Sequence, residues 1–140
     1  MSRPLNFDLI AFDWDGTLFD STQIIVRSIQ LAVADVGGTV PSNEAASYVI
    51  GLGLMEALAY AAPDVPQARY PELGKRYRQH YAVHQNDITL FEGVLPLLLD
   101  LKERGHFLTV ATGKSRRGVA HLIEKYGWQG WFATVQTSDD

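Results

Sequence analysis

The chain has 140 residues, of which 46% are hydrophobic, and its formal net charge is −4. This hydrophobic content excludes a disordered chain, and the length is enough for one modest core or for a core with a small appended unit. The acidic balance gives no reason to expect nucleic acid or an anionic membrane as a partner, and a sequence without cysteine excludes disulfides and thiolate chemistry. Residues 1–8 are too polar for a secretory signal and no apolar run is long enough to span a bilayer, so the expected location is cytoplasmic.

The first predicted element is a short apolar strand that ends in two acidic residues. Leu9–Phe12 is a continuous apolar run, which is typical of a buried strand, and Asp13 and Asp15 follow it. Side chains two apart on an extended segment share a face, so both carboxylates are expected to converge on one site, with Trp14 directed away. Gly16 then allows the backbone to turn and a ligand to approach closely.

Two carboxylates this close repel each other, so something must compensate their charge. A Mg²⁺ ion that arrives with substrate phosphate would do so, and a proton held by one carboxylate would suit a general acid. Both features fit a nucleophile and an acid/base group that handle phosphoryl groups. The structural alternative is a strand-end turn in which Asp15-Gly16 has no chemical role.

A helical segment is expected to follow. Its predicted helices are one over residues 22–36, one capped by Ser42 or Asn43 that runs to about residue 50, one that follows Gly51–Gly53 and ends at Ala62, and one over about 71–85. Tyr70, Leu73, Tyr77 and Tyr81 share one side of the last helix, which indicates core packing. An excursion of this length suggests an inserted cap over residues 19–88, because a simple crossover is much shorter.

Two histidines and two glycines in this segment admit functional interpretations. His80 and His84 share a helix face, but a pair without a nearby third ligand is more typical of solvent-facing side chains than of a metal site. Gly51-Leu52-Gly53 is either a simple helix break or a loop that contacts the substrate.

The chain then returns to an alternating pattern of helices and strands. We expect a helix over 94–104, an apolar strand over 106–112, a helix that starts near Ser115 and ends at Tyr126 before Gly127, and a third strand over 132–136. Short loops between these elements predict a right-handed parallel βαβ arrangement. Ligands bind beyond the carboxyl ends of such strands, so Thr112, Gly113 and Lys114 are candidate phosphate contacts beside Asp13. The start of the helix after Thr112 also favours an anion. Arg116 and Arg117 are expected to form a solvated helix start.

The run Asp13-Trp14-Asp15-Gly16-Thr17-Leu18-Phe19-Asp20-Ser21 resembles the first motif of the haloacid-dehalogenase-like (HAD) superfamily, most closely its phosphoglycolate phosphatase-like branch. Thr112 resembles the second motif. The resemblance implies an α/β fold with a HAD-type, Rossmann-like parallel sheet of about three strands and an inserted helical cap. The implied boundaries are 1–18 and 89–140 for the partial core and 19–88 for the cap.

The same resemblance implies a mechanism on a small phosphorylated metabolite. Asp13 would attack phosphorus and become an aspartyl-phosphate, and Asp15 would act as general acid and then as general base. Mg²⁺ would be held by Asp13 and by Asp15 through its main-chain carbonyl, and Thr112 would hold a phosphate oxygen. Family dehalogenases do not keep an aspartate at the position of Asp15, which favours phosphate chemistry. Lys114 is a candidate substrate contact and is not the lysine of the third motif.

The third and fourth motifs of the family, a lysine and an acidic cluster, find no match before Asp140, so the chain is expected to be a fragment with weak Mg²⁺ binding and little or no hydrolysis. Its first strand is then expected to be an open sheet edge that promotes self-association. The alternatives within enzymes are a HAD pyrophosphatase and a sugar-phosphate phosphatase or mutase. Outside them are a receiver-like phosphoacceptor domain, which would lack the helical insertion, and a catalytically incompetent interaction fragment.

Overall fold

The computed structural model describes residues 8–140. The strands are β1 (Leu9–Phe12), β2 (Phe19–Asp20), β3 (Thr89–Leu90), β4 (Phe107–Ala111) and β5 (Thr134–Gln136). The α-helices are α1 (Thr22–Asp35), α2 (Asn43–Tyr48), α3 (Leu54–Ala61), α4 (Tyr70–His84), α5 (Val94–Glu103) and α6 (Arg116–Tyr126). No helix within residues 8–140 has the length and apolar character needed to cross a membrane. Residues 1–7, which form most of the polar N-terminal stretch discussed above, lie outside the described residues.

The chain forms two compact units. One unit, called here the α/β unit, comprises the described residues up to Phe19 together with Leu90–Asp140, and the other, the helical unit, is Asp20–Thr89. The strands β2 and β3 pair with each other where the chain passes from one unit to the other and back. The assignment of these units as catalytic core and cap stays a prediction.

The α/β unit contains a parallel three-stranded sheet, as predicted. Its order is β1-β4-β5, and the register aligns Phe12 with Val110 and Ala111 with Gln136. This order makes β1 an edge strand. The prediction of a buried strand is therefore wrong for β1, since Leu9 remains 54% exposed, whereas the expectation that this strand is a sheet edge is confirmed among the described strands.

The core of the α/β unit contains a cluster of aromatic rings beside its buried aliphatic residues. Trp14 and Trp128 are almost fully buried, and each lies within 7 Å, centroid to centroid, of the rings of Phe19 and Phe132. The third strand was predicted to begin at Phe132 but begins at Thr134, since the Phe132 ring packs into this cluster instead. The burial of Trp14 confirms that its side chain is directed away from the surface on which Asp13 lies.

The helical unit has an aliphatic core. Ile25, Ile29, Val33 and Val36 form a buried stripe that α1 contributes to this core. Leu73 of α4 is fully buried, and the three tyrosines of the predicted stripe on α4 pack against the same cluster, which confirms their core interpretation. Ser42 caps α2 by accepting a hydrogen bond from the N–H of Ala45. The predicted helices over 22–36, 43–50, 54–62 and 71–85 all form, each within one or two residues of its expected ends.

Candidate active site

Asp13 lies directly after β1, and its side chain is exposed. One carboxylate oxygen, Oδ1, accepts a hydrogen bond of 2.7 Å from the N–H of Trp14. Since Trp14 is anchored in the aromatic core, this bond fixes the orientation of the Asp13 carboxylate. A carboxylate held in place at the surface is suited to meet an electrophile or a cation from solution.

Asp15 opens a tight turn that returns the chain to β2. The carbonyl oxygen of Trp14 accepts hydrogen bonds from the N–H groups of Leu18 and Phe19, at 2.9 and 3.2 Å. Gly16 has a φ of +78°, a conformation that favours glycine, and its N–H donates to the carbonyl of Phe19. Asp15 itself is half-buried and pairs with Phe19 in an isolated β-bridge. The turn thus holds both acidic residues on a short, closely hydrogen-bonded segment.

The parallel register brings the ends of β1 and β4 to the same edge of the sheet. Phe12 is aligned with Val110, so Asp13 follows β1 at the level of Ala111, one residue before Thr112. Neighbouring strands lie about 4.8 Å apart. The acidic turn and the turn after β4 are therefore neighbours at the carboxyl end of the sheet, where ligands bind in open parallel sheets.

The turn Thr112–Lys114 is fixed by internal hydrogen bonds. The N–H of Thr112 donates to the carbonyl of Gln136 at 3.0 Å, and the Thr112 hydroxyl accepts from the N–H of Lys114 at 3.1 Å. The hydroxyl retains its own proton for a second partner. Within residues 8–140, no acceptor is recorded for the N–H of Gly113, which leaves this group available to an anion.

The start of α6 already has a negatively charged partner from the chain itself. Asp139 accepts a hydrogen bond of 2.8 Å from the N–H of Arg116, and Ser115 caps the helix by accepting from Gly118. The predicted start of this helix near Ser115 is confirmed. Because Asp139 takes the first N–H of the helix, any phosphate at this edge would depend on the preceding turn, at Thr112 and Gly113.

An ion pair that the sequence did not reveal joins the loops after β4 and β5. The guanidinium of Arg116 donates to the carboxylate of Asp140 and to the carbonyl of Val135, and the N–H of Thr137 donates to the same carboxylate at 2.7 Å. These hydrogen bonds, first that from Arg116 and then that from Thr137, lower the pKa of Asp140 to about 2. The prediction that Arg116 is merely solvated is wrong. In the sequence, the only signal for this ion pair was that residues 116–117 are basic and residues 139–140 are acidic.

A cation site at the acidic turn would have few protein ligands. Across residues 8–140, no group of three or more His, Cys, Asp or Glu side chains is arranged to hold a metal. Mg²⁺ is commonly held by only one or two carboxylates, with water and substrate phosphate completing its oxygen shell. The exposed Asp13 carboxylate and the adjacent Asp15 therefore have the chemistry of a partial Mg²⁺ site.

The other candidate residues lie in the helical unit. His80 Nε2 lies 2.6 Å from Asp35 Oδ2, and His84 Nδ1 lies 3.8 Å from Asp87 Oδ2. Each histidine therefore has its own carboxylate partner. Gly51 has a φ of +105°, and Ile50 and Leu52 form an isolated β-bridge around it, so this segment is a tight bend between α2 and α3.

Comparison with known proteins defines the family. A model described as haloacid dehalogenase-like hydrolase matches residues 10–140, and the chain belongs to this family. This membership decides against the receiver-domain alternative. Among solved structures, a haloacid dehalogenase-like protein from Bacteroides fragilis has a TM-score of 0.85 and 21% identity, covering 96% of this chain and 65% of that one. At this identity the likeness supports the fold, and the α/β architecture expected from the first motif is confirmed.

Two relatives of known name are more similar in sequence. The tyrosine-protein kinase PtkA of Mycobacterium tuberculosis (strain H37Rv) is 30% identical over 135 residues, covering 91% of this chain and 43% of PtkA. The phosphoglycolate phosphatase of Agrobacterium fabrum is 29% identical over 143 residues, covering 99% of this chain and 61% of that enzyme. The chain thus spans between 43% and 61% of the length of these two relatives.

Proposed function

We propose that this chain carries the nucleophile of a Mg²⁺-dependent phosphomonoester hydrolase that acts on a small phosphorylated metabolite resembling phosphoglycolate. The observation that carries the proposal is the parallel register, which sets the segment after β1 beside the turn after β4. The family membership and the phosphoglycolate phosphatase among the relatives support the reaction class. The expected cytoplasmic location remains part of this proposal.

Asp13 is the proposed nucleophile. Its carboxylate oxygen forms a bond to the substrate phosphorus while the bond from phosphorus to the leaving oxygen breaks, and Asp15 donates a proton to that oxygen. Water then attacks the phosphorus of the aspartyl-phosphate, Asp15 takes its proton, and inorganic phosphate leaves as the Asp13 carboxylate is restored. The hydrogen bond from the N–H of Trp14 holds Asp13 in position for attack.

The phosphate is proposed to contact the turn after β4. The Thr112 hydroxyl proton and the N–H of Gly113 would donate to phosphate oxygens, and the ammonium of Lys114 would add positive charge nearby. Mg²⁺ would be held by the Asp13 carboxylate and by Asp15, and it would supply charge neutralisation for the transferring group. Both protein groups provide the oxygen ligands that this ion prefers.

The nucleophile can be tested without requiring turnover. The chain is incubated with Mg²⁺ and acetyl phosphate, and intact mass together with hydroxylamine cleavage reports an acyl phosphate on the protein. We expect labelling of the wild-type chain and its loss in Asp13→Asn. Asp87→Asn is the matched control, because it removes an exposed carboxylate of the helical unit. Labelling that survives in Asp13→Asn, or that never forms in the wild-type chain, overturns the proposal.

Substrate class is tested by hydrolysis of a panel that contains phosphoglycolate, pyrophosphate and sugar phosphates, with and without EDTA. We expect slow release of phosphate, fastest from phosphoglycolate, and its loss on chelation. Preference for pyrophosphate or for a sugar phosphate would replace the substrate but keep the reaction class. Release that EDTA does not change would contradict the Mg²⁺ dependence.

A second candidate is phosphoryl transfer to a tyrosine hydroxyl, which is favoured by the relative named a tyrosine-protein kinase. The γ-phosphoryl group of ATP would move to the phenolic oxygen, with ADP and a proton as the other products. Incubation with labelled ATP followed by phosphotyrosine analysis distinguishes this reaction from hydrolysis. Label recovered on tyrosine would favour the kinase, and label released as inorganic phosphate would favour the hydrolase.

Self-association through the outer edge of β1 is also proposed. Within the described part of the chain, β4 is the only strand that pairs with β1. The other edge of β1 therefore presents main-chain hydrogen-bonding groups. Sedimentation velocity over a range of concentrations tests this proposal. We expect a reversible dimer, and a monomer at all concentrations would contradict it.

A further inference from the structure

A cleft of about 650 Å³, called here the α1–α2 cleft, opens on the surface of the helical unit. It is lined by side chains from residues 22–31 of α1, by two residues of α2 and by His84 at the end of α4, all within the helical unit. A volume of this size is typical of sites that bind small molecules. The candidate active-site residues Asp13, Asp15 and Thr112–Lys114 do not line this cleft, so it is a separate feature of the molecule.

Hydrogen bonds between α1 and the start of α2 hold one wall of the cleft in place. The side-chain NH₂ group of Gln30 donates to the carbonyl of Pro41 at 3.0 Å and to Oδ1 of Asn43 at 2.8 Å. The Ser47 hydroxyl donates to the carbonyl of Asn43 at 2.7 Å. Because the Asn43 side chain accepts from Gln30 through its oxygen, its NH₂ group remains a donor for a further partner. A wall that is ordered before binding lowers the entropic cost of holding a ligand.

Arg27 gives the cleft a permanent positive charge. The residues that line the cleft in the described part of the chain include no Asp or Glu, although acidic residues outnumber Lys and Arg in the helical unit as a whole. Within residues 8–140, the guanidinium of Arg27 has no recorded hydrogen bond or ion pair. His84 can also be protonated, but its Nδ1 already lies 3.8 Å from Oδ2 of Asp87. A cation and several N–H donors without an acidic partner form a lining that suits an anion.

The cleft also has an apolar part. Ile24, Val26 and Leu31 line it, and Val26 is buried while the other two are half-buried. In small-molecule sites, apolar side chains provide area that a ligand removes from water, and a few polar groups fix its orientation. A ligand that uses both parts of this lining carries an acidic group next to an apolar body.

We propose that the α1–α2 cleft binds a small organic anion, whose carboxylate or phosphate group meets Arg27 and whose apolar body lies against Leu31 and its apolar neighbours. The planar guanidinium presents paired N–H donors that match either acid group, and the NH₂ group of Asn43 supplies another donor. Because the ligand contacts side chains that come together only in the folded helical unit, its binding stabilises that unit. The proposal does not rest on the hydrolase activity.

The first test measures binding to the complete chain by isothermal titration calorimetry, with backbone amide chemical shifts to locate the ligand. The probes are benzylphosphonate and phenylacetate, which have no phosphoester bond to hydrolyse, together with benzyl alcohol and inorganic phosphate. We expect each organic anion to bind about tenfold or more tightly than benzyl alcohol or inorganic phosphate, because only the organic anions use both parts of the lining. The amide signals that move should belong to α1 and α2. The tighter of the two anions identifies the preferred acid group.

The second test uses matched variants. Arg27→Gln should weaken binding of the organic anions by about tenfold or more, since a charge-assisted hydrogen bond is lost. Arg76→Gln is its control, because Arg76 is an exposed arginine of α4 that does not line the cleft. Gln23→Glu adds a negative charge to the cleft and should also weaken binding, whereas Gln79→Glu, at an exposed position of α4 outside the cleft, should not. All four positions are exposed, so the variants are expected to fold.

Three results would overturn the proposal. The first is benzyl alcohol binding as tightly as the organic anions, which would show that the positive charge does not select the ligand. The second is equal affinity in Arg27→Gln and Arg76→Gln, or amide shifts confined to the turns at Asp13 and Gly113, which would place the anion elsewhere. The third is that neither organic anion binds the wild-type chain at concentrations up to about 10 mM.

Discussion

The helical unit and the α/β unit bury their apolar residues in different ways. The helical unit encloses one aliphatic cluster, and all its buried members lie between Ile25 and Leu73. The α/β unit buries Leu108 and Val110 on one side of its sheet and leaves Leu9 and Phe107 exposed on the other side. The helical unit is thus closed around its own core, whereas the α/β unit exposes large apolar side chains of its sheet.

The two units also differ in how their loops are held. In the α/β unit, the loops after β4 and β5 are joined by the contacts of Arg116 with Asp139 and Asp140. In the helical unit, the loop after α1 is tied down by Asp64, which accepts hydrogen bonds from the N–H and the hydroxyl of Thr39. The candidate catalytic residues thus lie at the end of the sheet that carries ordered polar loops. The helical unit contributes a core that is closed by its own residues.

The largest expected effect comes from the helical core. Leu73→Ala removes a fully buried side chain and should lower the free energy of unfolding of the helical unit by about 2–5 kcal/mol. Trp14, Trp128 and Trp131 all lie in the α/β unit, so tryptophan fluorescence follows that unit, while circular dichroism is dominated by helices. We expect the dichroism midpoint in urea to move more than the fluorescence midpoint.

The control for this substitution is Val83→Ala, at a position that is 73% exposed on the same helix. It should change the free energy of unfolding by less than about 0.5 kcal/mol. If both spectroscopic midpoints move equally in Leu73→Ala, the two units unfold as one cooperative block and the contrast between them has no thermodynamic counterpart.

A smaller effect is expected at two helix ends, one in each unit. Gly37 follows α1 with a φ of +77°, and Gly127 follows α6 with a φ of +70°. Nothing lies within 4 Å of a Cβ added at either position, so an alanine there is opposed by its backbone conformation alone. Each substitution should cost about 1–2 kcal/mol of stability. Urea unfolding measures both losses of stability. A loss seen only for Gly37→Ala would contradict the prediction for Gly127, at the helix end in the α/β unit.

A still smaller effect is expected within the three-stranded sheet. Thr109→Val removes the cross-strand hydrogen bond to Thr134 but keeps the shape of the side chain. The loss should be about 1 kcal/mol, because the groups left behind on Thr134 can bond to water at the exposed edge of the sheet. Tryptophan fluorescence in urea measures it. An unchanged midpoint would mean that this hydrogen bond does not stabilise the unit.

The smallest expected effect depends on pH. The pKa of Asp140 is lowered from 3.8 to about 2 in the folded chain, first by the hydrogen bond from Arg116. A lowered folded-state pKa stabilises the fold above the unfolded pKa, and that contribution is lost as the pH falls from about 4 through about 2. Because the pair is exposed, added salt should weaken the effect.

Asp140→Asn tests this pH dependence. The unfolding midpoint of each chain is measured from about pH 5 down to about pH 2, a range that includes the lowered pKa. We expect the wild-type chain to lose stability over this range more steeply than the variant. Parallel curves for the two chains would show that the ion pair does not couple to folding.

Much of the fold could be predicted from the sequence because local signals agreed with the final structure. The apolar runs before Asp13 and Thr112, the cap at Ser115 and the glycine at 127 each specify an element end without reference to distant residues. The tyrosine stripe of α4 was predictable for the same reason, since its spacing alone defines a buried face.

The features that could not be predicted depend on contacts between distant parts of the chain. The strands β2 and β3 have two residues each, too few for any periodicity, and they exist only because they pair. The partner of Arg116 lies in a loop 24 residues later, so no local pattern could identify it. The roles of Asp13, Asp15 and Thr112 stay predictions. Residue type and position at a strand end do not establish a catalytic role without a bound substrate.

The pairing of β2 with β3 has a consequence for how such a protein can change. Neighbouring strands lie about 4.8 Å apart, so the points at which the chain departs into Asp20–Thr89 and comes back are close together. A segment with adjacent ends can be shortened, replaced or grafted while the flanking strands keep their positions. This stretch can therefore be exchanged for another segment whose ends are equally close together, while the β1–β4 register is preserved.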